Sequence, residues 1–166
     1  GGGRRNAAGG SAVRAIPATH DDTFQLQRSI RTVLMDLTRY MSIPFKERGR
    51  DHDGLDCYGL VYLISREQLG LEVPSYAESY VTCMDQKEIS SMIQQETAST
   101  WEPVEPKKVQ TGDLVVLRIA GHPWHCGIML DRYKFLHIER GANVCRDDVT
   151  ALRWAKRVDG FYRWKH

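Results

Sequence analysis

The 166-residue chain contains no run of 18 apolar residues, so it encodes no helix-length membrane span or anchor. Its four cysteines, Cys57, Cys83, Cys126 and Cys145, show no C-x-x-C spacing. A chain of this size does not need disulfides, and free thiols are expected. The formal net charge is only +2, which excludes the strongly basic footprint of a nucleic-acid binder. No apolar stretch follows Arg4 and Arg5, so no secretory signal is visible. Internal repeats are absent, which excludes solenoids and propellers.

What is present is ordinary globular material: 42% hydrophobic and 27% charged residues, enough for one domain with its own core. The basic charge sits at the two ends. Arg4, Arg5 and Arg14 face no acid in the first 14 residues, and Arg153, Lys156, Arg157, Arg163 and Lys165 outnumber Asp159 near the C-terminus. Residues 1–20, beginning "GGGRRNAAGGSAVRA", have no hydrophobic period and read as a flexible arm; residues 21–166 read as the domain.

Helical spacing of Leu26, Ile30, Val33, Leu34, Leu37 and Met41 predicts a helix from Asp21 or Asp22 that stops before Pro44. "KERGRDHDG" reads as a polar loop. A second helix begins at Asp56 or Cys57, with Asp56 as N-cap, a buried stripe of Leu60, Val61 and Ile64, and Gly70 closing it. "KEISSMIQQETAS" predicts a short third helix, and "WEPVEPKK" an extended connector without regular structure. From there the period changes to two: "GDLVVLRI", "HCGIMLD", "KFLHIER" and "VDGFYRWK" read as strands. Helices followed by strands predict an α+β fold on an antiparallel sheet.

Chemistry concentrates on three residues. A hairpin turn centred on Asp131 would set His125 directly opposite His137, with Cβ atoms about 4.5–5.5 Å apart. Alternation sends Cys126 to the other face with Ile128 and Leu130. Cys57, in the first turn of a helix, feels the positive end of the helix dipole, which favours thiolate. If that helix packs on the sheet, with Gly59 permitting close backbone approach, His125 reaches the sulfur and His137 holds its ring: nucleophile, base and orienter. Spacing alone leaves the plainer reading standing, because lone cysteines in apolar helix stripes are usually core residues. A zinc site from "HPWHC", His137 and Cys145 lacks a recognised spacing, and the opposite facing of His125 and Cys126 argues against it. No metal and no other cofactor is expected.

At these residues the chain resembles a known family. "IPFKERGRDHDGLDCYGLV" resembles the nucleophile region of the NlpC/P60 family of papain-like cell-wall cysteine peptidases. "GDLVVLRI" is similar to its Gly-Asp-Leu strand, "HCGIML" to its His-x-Gly-Ile strand, and "FLHIERG" to the strand supplying a third polar residue. "EVPSY" and the terminal "GFYR" resemble the subgroup found in phage and prophage tail modules. The resemblance spans residues 24–164 and implies Cys57 as nucleophile, His125 as base and His137 as orienting residue. Phe45, Asp56 and Tyr58 become the candidates for the oxyanion and substrate site, with Asp56 also the helix cap. Family members commonly carry tyrosine where this chain has Phe45, so the oxyanion would rely on backbone N–H groups around Cys57.

The implied activity is hydrolysis of an amide in the peptidoglycan peptide stem, at a γ-D-glutamyl to diamino-acid linkage. The implied partners are the stem peptide and phage tail hub or tip proteins. The implied location is the virion tail tip, acting on the host wall, with synthesis in the cytoplasm. A structural tail-tip component with the same fold and little activity is the alternative.

Overall fold

The computed structural model describes residues 37–82 and 85–165. The arm, Cys83 and most of the expected first helix lie outside the described residues; of the stretch expected to be that helix, the described part holds a four-residue helix, α1 (Thr38–Met41).

Helix α2 (Cys57–Leu69) runs between the two signals read from sequence. Asp56 stands outside the helix in extended conformation, and its carboxylate accepts the Gly59 N–H at 2.7 Å, satisfying a first-turn donor. Gly70 ends the helix at φ 65°, a left-handed position that glycine occupies without strain. Helix α3 (Gln86–Ser99) covers the expected third segment, capped by Asp85.

Six strands form one antiparallel sheet, in the spatial order β3 (Trp101–Val104), β8 (Val158–Trp164), β4 (Leu114–Ile119), β5 (His122–Met129), β6 (Lys134–His137) and β7 (Cys145–Asp148). Four match the expected runs: β4, β5, β6 and β8. The other two correct the sequence reading. "WEPV" is not an irregular connector: Trp101–Val104 forms edge strand β3 on β8, and Pro106–Lys108 a 3-10 turn. Pro103 is tolerated there because an edge strand leaves one side unpaired. Cys145–Asp148 forms β7, the opposite edge, antiparallel to β6. Within the expected polar loop, β1 (Arg50–Asp51) and β2 (Gly54–Leu55) make a small hairpin.

Two cores flank the sheet. Leu60, Val61 and Ile64 of α2 pack with Val116, Cys126, Ile128 and Leu136 on one face. Each such side chain contributes about 1.5–3 kcal/mol by leaving water. Val115, Leu117, Met129, Phe135 and Phe161 pack around Trp154 on the other. Gly59 does permit a close approach, but from the Gly49 backbone rather than from the sheet. An added Cβ would meet the Gly49 carbonyl oxygen at 2.0 Å.

Candidate active site

The hairpin that carries the two histidines is offset from its expected register. Ile128 faces Leu136 and Met129 faces Phe135, so the turn centres on Arg132 and not on Asp131. The cause is local. The Asp131 carboxylate accepts the N–H groups of Tyr133 and Lys134, at 2.7 and 2.8 Å, opening a loop of three residues. His137 therefore lies across from Gly127, two residues along from His125. A shift of two preserves the face, so the rings still meet, diagonally. Gly127 makes room for this: an added Cβ would lie 3.3 Å from the His137 Cβ and 2.5 Å from the Leu136 carbonyl oxygen.

The ring centroids of His125 and His137 are 5.3 Å apart, and His125 Nε2 lies 3.1 Å from His137 Nδ1. With Nε2 engaged, Nδ1 is the nitrogen of His125 left for other chemistry. Pairing of β5 with β6 ends at Ile128 and Leu136, and beyond it a cleft of about 360 Å³ opens. Cys57, His125, Phe45, Trp124, Glu139 and Arg140 line it. Helix α2 thus delivers its first residue to the unpaired flank of β5, where sulfur and imidazole meet.

Cys57 is half-buried and its thiol is held well below the ordinary range. The first cause is a hydrogen bond from the Cys126 thiol. The hydrogen bond and charge of His125 and the Cys126 backbone N–H add to it, against the opposing effect of burial. Cys126 is pushed up in turn, because it donates to Cys57 and is buried. Cys126 does lie in the α2-facing core, as alternation predicts, and it also acts on the Cys57 sulfur, which the sequence did not reveal. His125 and Cys126 leave β5 on opposite faces, so these two do not share one ligand set. Among the described residues no cluster of three or more His, Cys, Asp or Glu could hold a metal.

Of the three oxyanion and substrate candidates, Phe45 alone lines the open cleft. Asp56 is 1% exposed. Its carboxylate takes the Gly59 N–H, the Arg48 N–H at 3.0 Å, the Arg50 guanidinium at 2.8 Å and the Tyr80 hydroxyl. Burial first, and then the neighbouring Cys57 sulfur, push this carboxyl up against those donors. Arg50 also reaches the Ser75 carbonyl and the Tyr80 hydroxyl, tying the 75–80 loop to the helix N-terminus. Tyr58 is buried and donates to the Pro74 carbonyl at 2.9 Å. Neither Asp56 nor Tyr58 lines that cleft; together with Cys57 they border a separate, apolar pocket of about 40 Å³ beneath α3.

Two residues at the site were not anticipated. His137 Nε2 lies 3.1 Å from Asp147 Oδ2, on β7, and the same oxygen accepts the Trp154 indole N–H at 2.7 Å. Trp154 is fully buried, stacks on His125 at 5.9 Å and meets His137 edge-on at 5.1 Å. Phe135 covers the other side of His137 at 4.9 Å. Burial and then the nearby His125 charge lower the His137 pKa, with Asp147 opposing them. Burial raises the Asp147 carboxyl, but the Trp154 and His137 hydrogen bonds outweigh it and hold the group low. The β6–β7 register, Phe135 to Asp147 and His137 to Cys145, puts all four on one face.

The chain is similar to several known proteins. Murein DD-endopeptidase MepS/Murein LD-carboxypeptidase of Escherichia coli (strain K12) is 28% identical over 153 residues, 90% of this chain and 72% of that protein. Gamma-DL-glutamyl hydrolase of Bacillus subtilis (strain 168) is 23% identical over 159 residues, 94% of this chain and 32% of that protein. Among solved structures, an NLP/P60 lipoprotein-like protein of Staphylococcus aureus superposes with a TM-score of 0.56 at 19% identity, covering 93% of this chain and 46% of that one. The NlpC/p60 domain of peptidoglycan hydrolase SagA gives 0.53 at 20% identity, covering 82% and 98%. Both establish the α+β fold. A profile of the NlpC/P60 family matches residues 42–163, and the chain belongs to that family of cysteine hydrolases.

Proposed function

We propose that the protein is a peptidoglycan hydrolase that cleaves an amide of the peptide stem. The observation that carries this is the placement of a low-pKa Cys57, at a helix N-terminus, in one open cleft with His125. The Cys57 thiolate attacks the carbonyl carbon, and charge develops on the carbonyl oxygen. Asp56 occupies the Gly59 N–H, which leaves the first-turn N–H groups of Cys57 and Tyr58 as the oxyanion donors. The His125 imidazolium gives its proton to the departing amine, the C–N bond breaks and a thioester remains. His125, again neutral, takes a proton from water as the water adds, and thiolate leaves. His137 orients His125 through its Nε2. Phe45 presents no hydroxyl to the cleft, so backbone donors carry the oxyanion alone.

The finer assignment is a γ-D-glutamyl to diamino-acid bond, supported by the sequence motifs and by the likeness to a γ-glutamyl hydrolase. The chain spans about a third of that relative. The tail-module motifs support a role at a phage tail tip, in contact with hub or tip proteins and acting on the host wall; residues 21–166 would be the catalytic domain. The structural-component reading draws on Phe45 and on the basic residues near the two ends of the sequence. Incubation of purified peptidoglycan with the protein, followed by mass spectrometry of released fragments, tests all of this. Fragments ending at γ-D-glutamate support the proposal. Cleavage between two D-centres moves the bond, and no release above a Cys57→Ala control favours the structural role.

A further inference from the structure

The cleft explains Cys57 and His125, and His137 explains how His125 is held, but His137 itself has two nitrogens. Which one carries the proton decides whether His125 can act as a base. If His137 Nδ1 were protonated, it would donate to His125 Nε2 and force the His125 proton onto Nδ1, facing the sulfur. His125 would then have no lone pair for Cys57. Something must exclude that tautomer.

We propose that Asp147 is a positioning residue that, with Trp154, fixes His137 in its Nε2–H tautomer and so makes His125 Nδ1 the catalytic base. This rests on the Cys57–His125 reading above. An ionised carboxylate only accepts, so the 3.1 Å contact of Asp147 Oδ2 with His137 Nε2 requires a proton on Nε2. His137 Nδ1 then accepts, the 3.1 Å contact is donated by His125 Nε2–H, and Nδ1 is the nitrogen of His125 that carries the second proton in the imidazolium and the lone pair in the neutral ring. Trp154 donates to the same Asp147 oxygen at 2.7 Å and packs on both imidazoles, which fixes the carboxylate and the rings together.

The other groups around His137 do not replace Asp147. Cys145 Sγ lies 3.2 Å from His137 Nε2, but burial raises its pKa and keeps it a thiol, a weak acceptor with the His137 carbonyl at 3.7 Å as its own partner. Glu139 is held by Arg153 at 2.5–2.7 Å. Arg153 and Arg157 lie over Trp154 at 4.6 and 5.9 Å, and Arg153 assists the Asp147 charge. His125, Cys145, Glu139 and Asp147, with those two arginines, are the charged and titratable surroundings.

The test combines long-range 1H–15N spectra of histidine-labelled protein with stem-peptide kinetics. In the wild type, His137 should show a protonated Nε2 and an unprotonated Nδ1. Asp147→Ala should lose that single tautomer and lower kcat about 10- to 100-fold, with KM within about twofold. Asp147→Asn, whose amide oxygen can take both the Trp154 and His137 donors, should recover the tautomer and most of the rate. Cys145→Ala should leave the tautomer in place. A protonated Nδ1 in the wild type overturns the proposal, as does an Asp147→Ala protein with the wild-type tautomer, whatever its rate. Failure of the underlying reading looks different: a Cys57→Ala protein that still cleaves, irrespective of any His137 spectrum.

Discussion

The two faces of the sheet each carry a buried core, and the two are chemically unlike. Facing α2, the side chains of Leu60, Val61, Ile64, Val116 and Ile128 pack as aliphatic groups, with Cys126 among them acting on the Cys57 sulfur. On the other face Trp154 and Phe135 enclose two imidazoles, and Asp147 closes the hydrogen-bond chain. Apart from the Cys126 thiol, the first face fixes where Cys57 sits by packing without direction. The second fixes how two rings point and where their protons are, which requires directional partners. The placing of the helix and the orientation of the two rings are thus assigned to opposite sides of one strand, β5.

Truncation separates the two faces. The largest expected effect is at the nucleophile: Cys57→Ala should lower stem-peptide cleavage by about 10⁴-fold or more while the melting temperature moves by no more than about 2 °C. A large loss of stability would mean that Cys57 belongs to the packing face. Next, Ile64→Ala should cost about 2–5 kcal/mol in denaturant unfolding and leave kcat of the folded fraction within about twofold. If its kcat falls more steeply than its stability, the aliphatic face does more than position the helix.

On the directional face, Trp154→Phe keeps a ring against the histidines and removes the donor to Asp147. It should cost about 1–3 kcal/mol and lower kcat about tenfold, measured side by side. The smallest effect is in pH. The folded pKa of Asp147 lies below its unfolded value near 3.8, so its stabilisation is complete above that value. It is lost as pH falls through the lower, folded pKa. Thermal melts of wild type should therefore fall more steeply than those of Asp147→Asn below about pH 4, with the two slopes parallel at neutral pH. Solvent reaches a third of the Asp147 side chain, which keeps the difference small.

The same division explains what could be read in advance. Asp56 and Gly70 mark the ends of α2 by local backbone chemistry, so the position of Cys57 was legible. The shared face of His125 and His137 followed from parity, which survives a register shift of two; their direct opposition did not, because the side chain of Asp131 sets the loop length. Strand β7, "CRDD", has no apolar alternation, and its pairing with β6 is a long-range contact, so Asp147 was invisible. Trp154 sits in a turn with no period to assign it a face. Strand β3 was hidden by Pro103, which only an edge tolerates.

The central claim is that Cys57 is a thiolate because of its surroundings, and alkylation tests it most directly. Iodoacetamide requires thiolate as well as access, and Cys145, half-buried with a raised pKa, is an internal control. Because the Cys57 pKa is depressed, its labelling should already be fast at mildly acidic pH, well below the free-thiol value of about 8.5, and reach its plateau early as pH rises. Peptide mapping by mass spectrometry across a pH series should find Cys57 modified ahead of Cys126 and Cys145, and His125→Ala should shift its profile to higher pH. A Cys57 profile that follows an ordinary thiol, or that is indifferent to His125→Ala, would contradict the account.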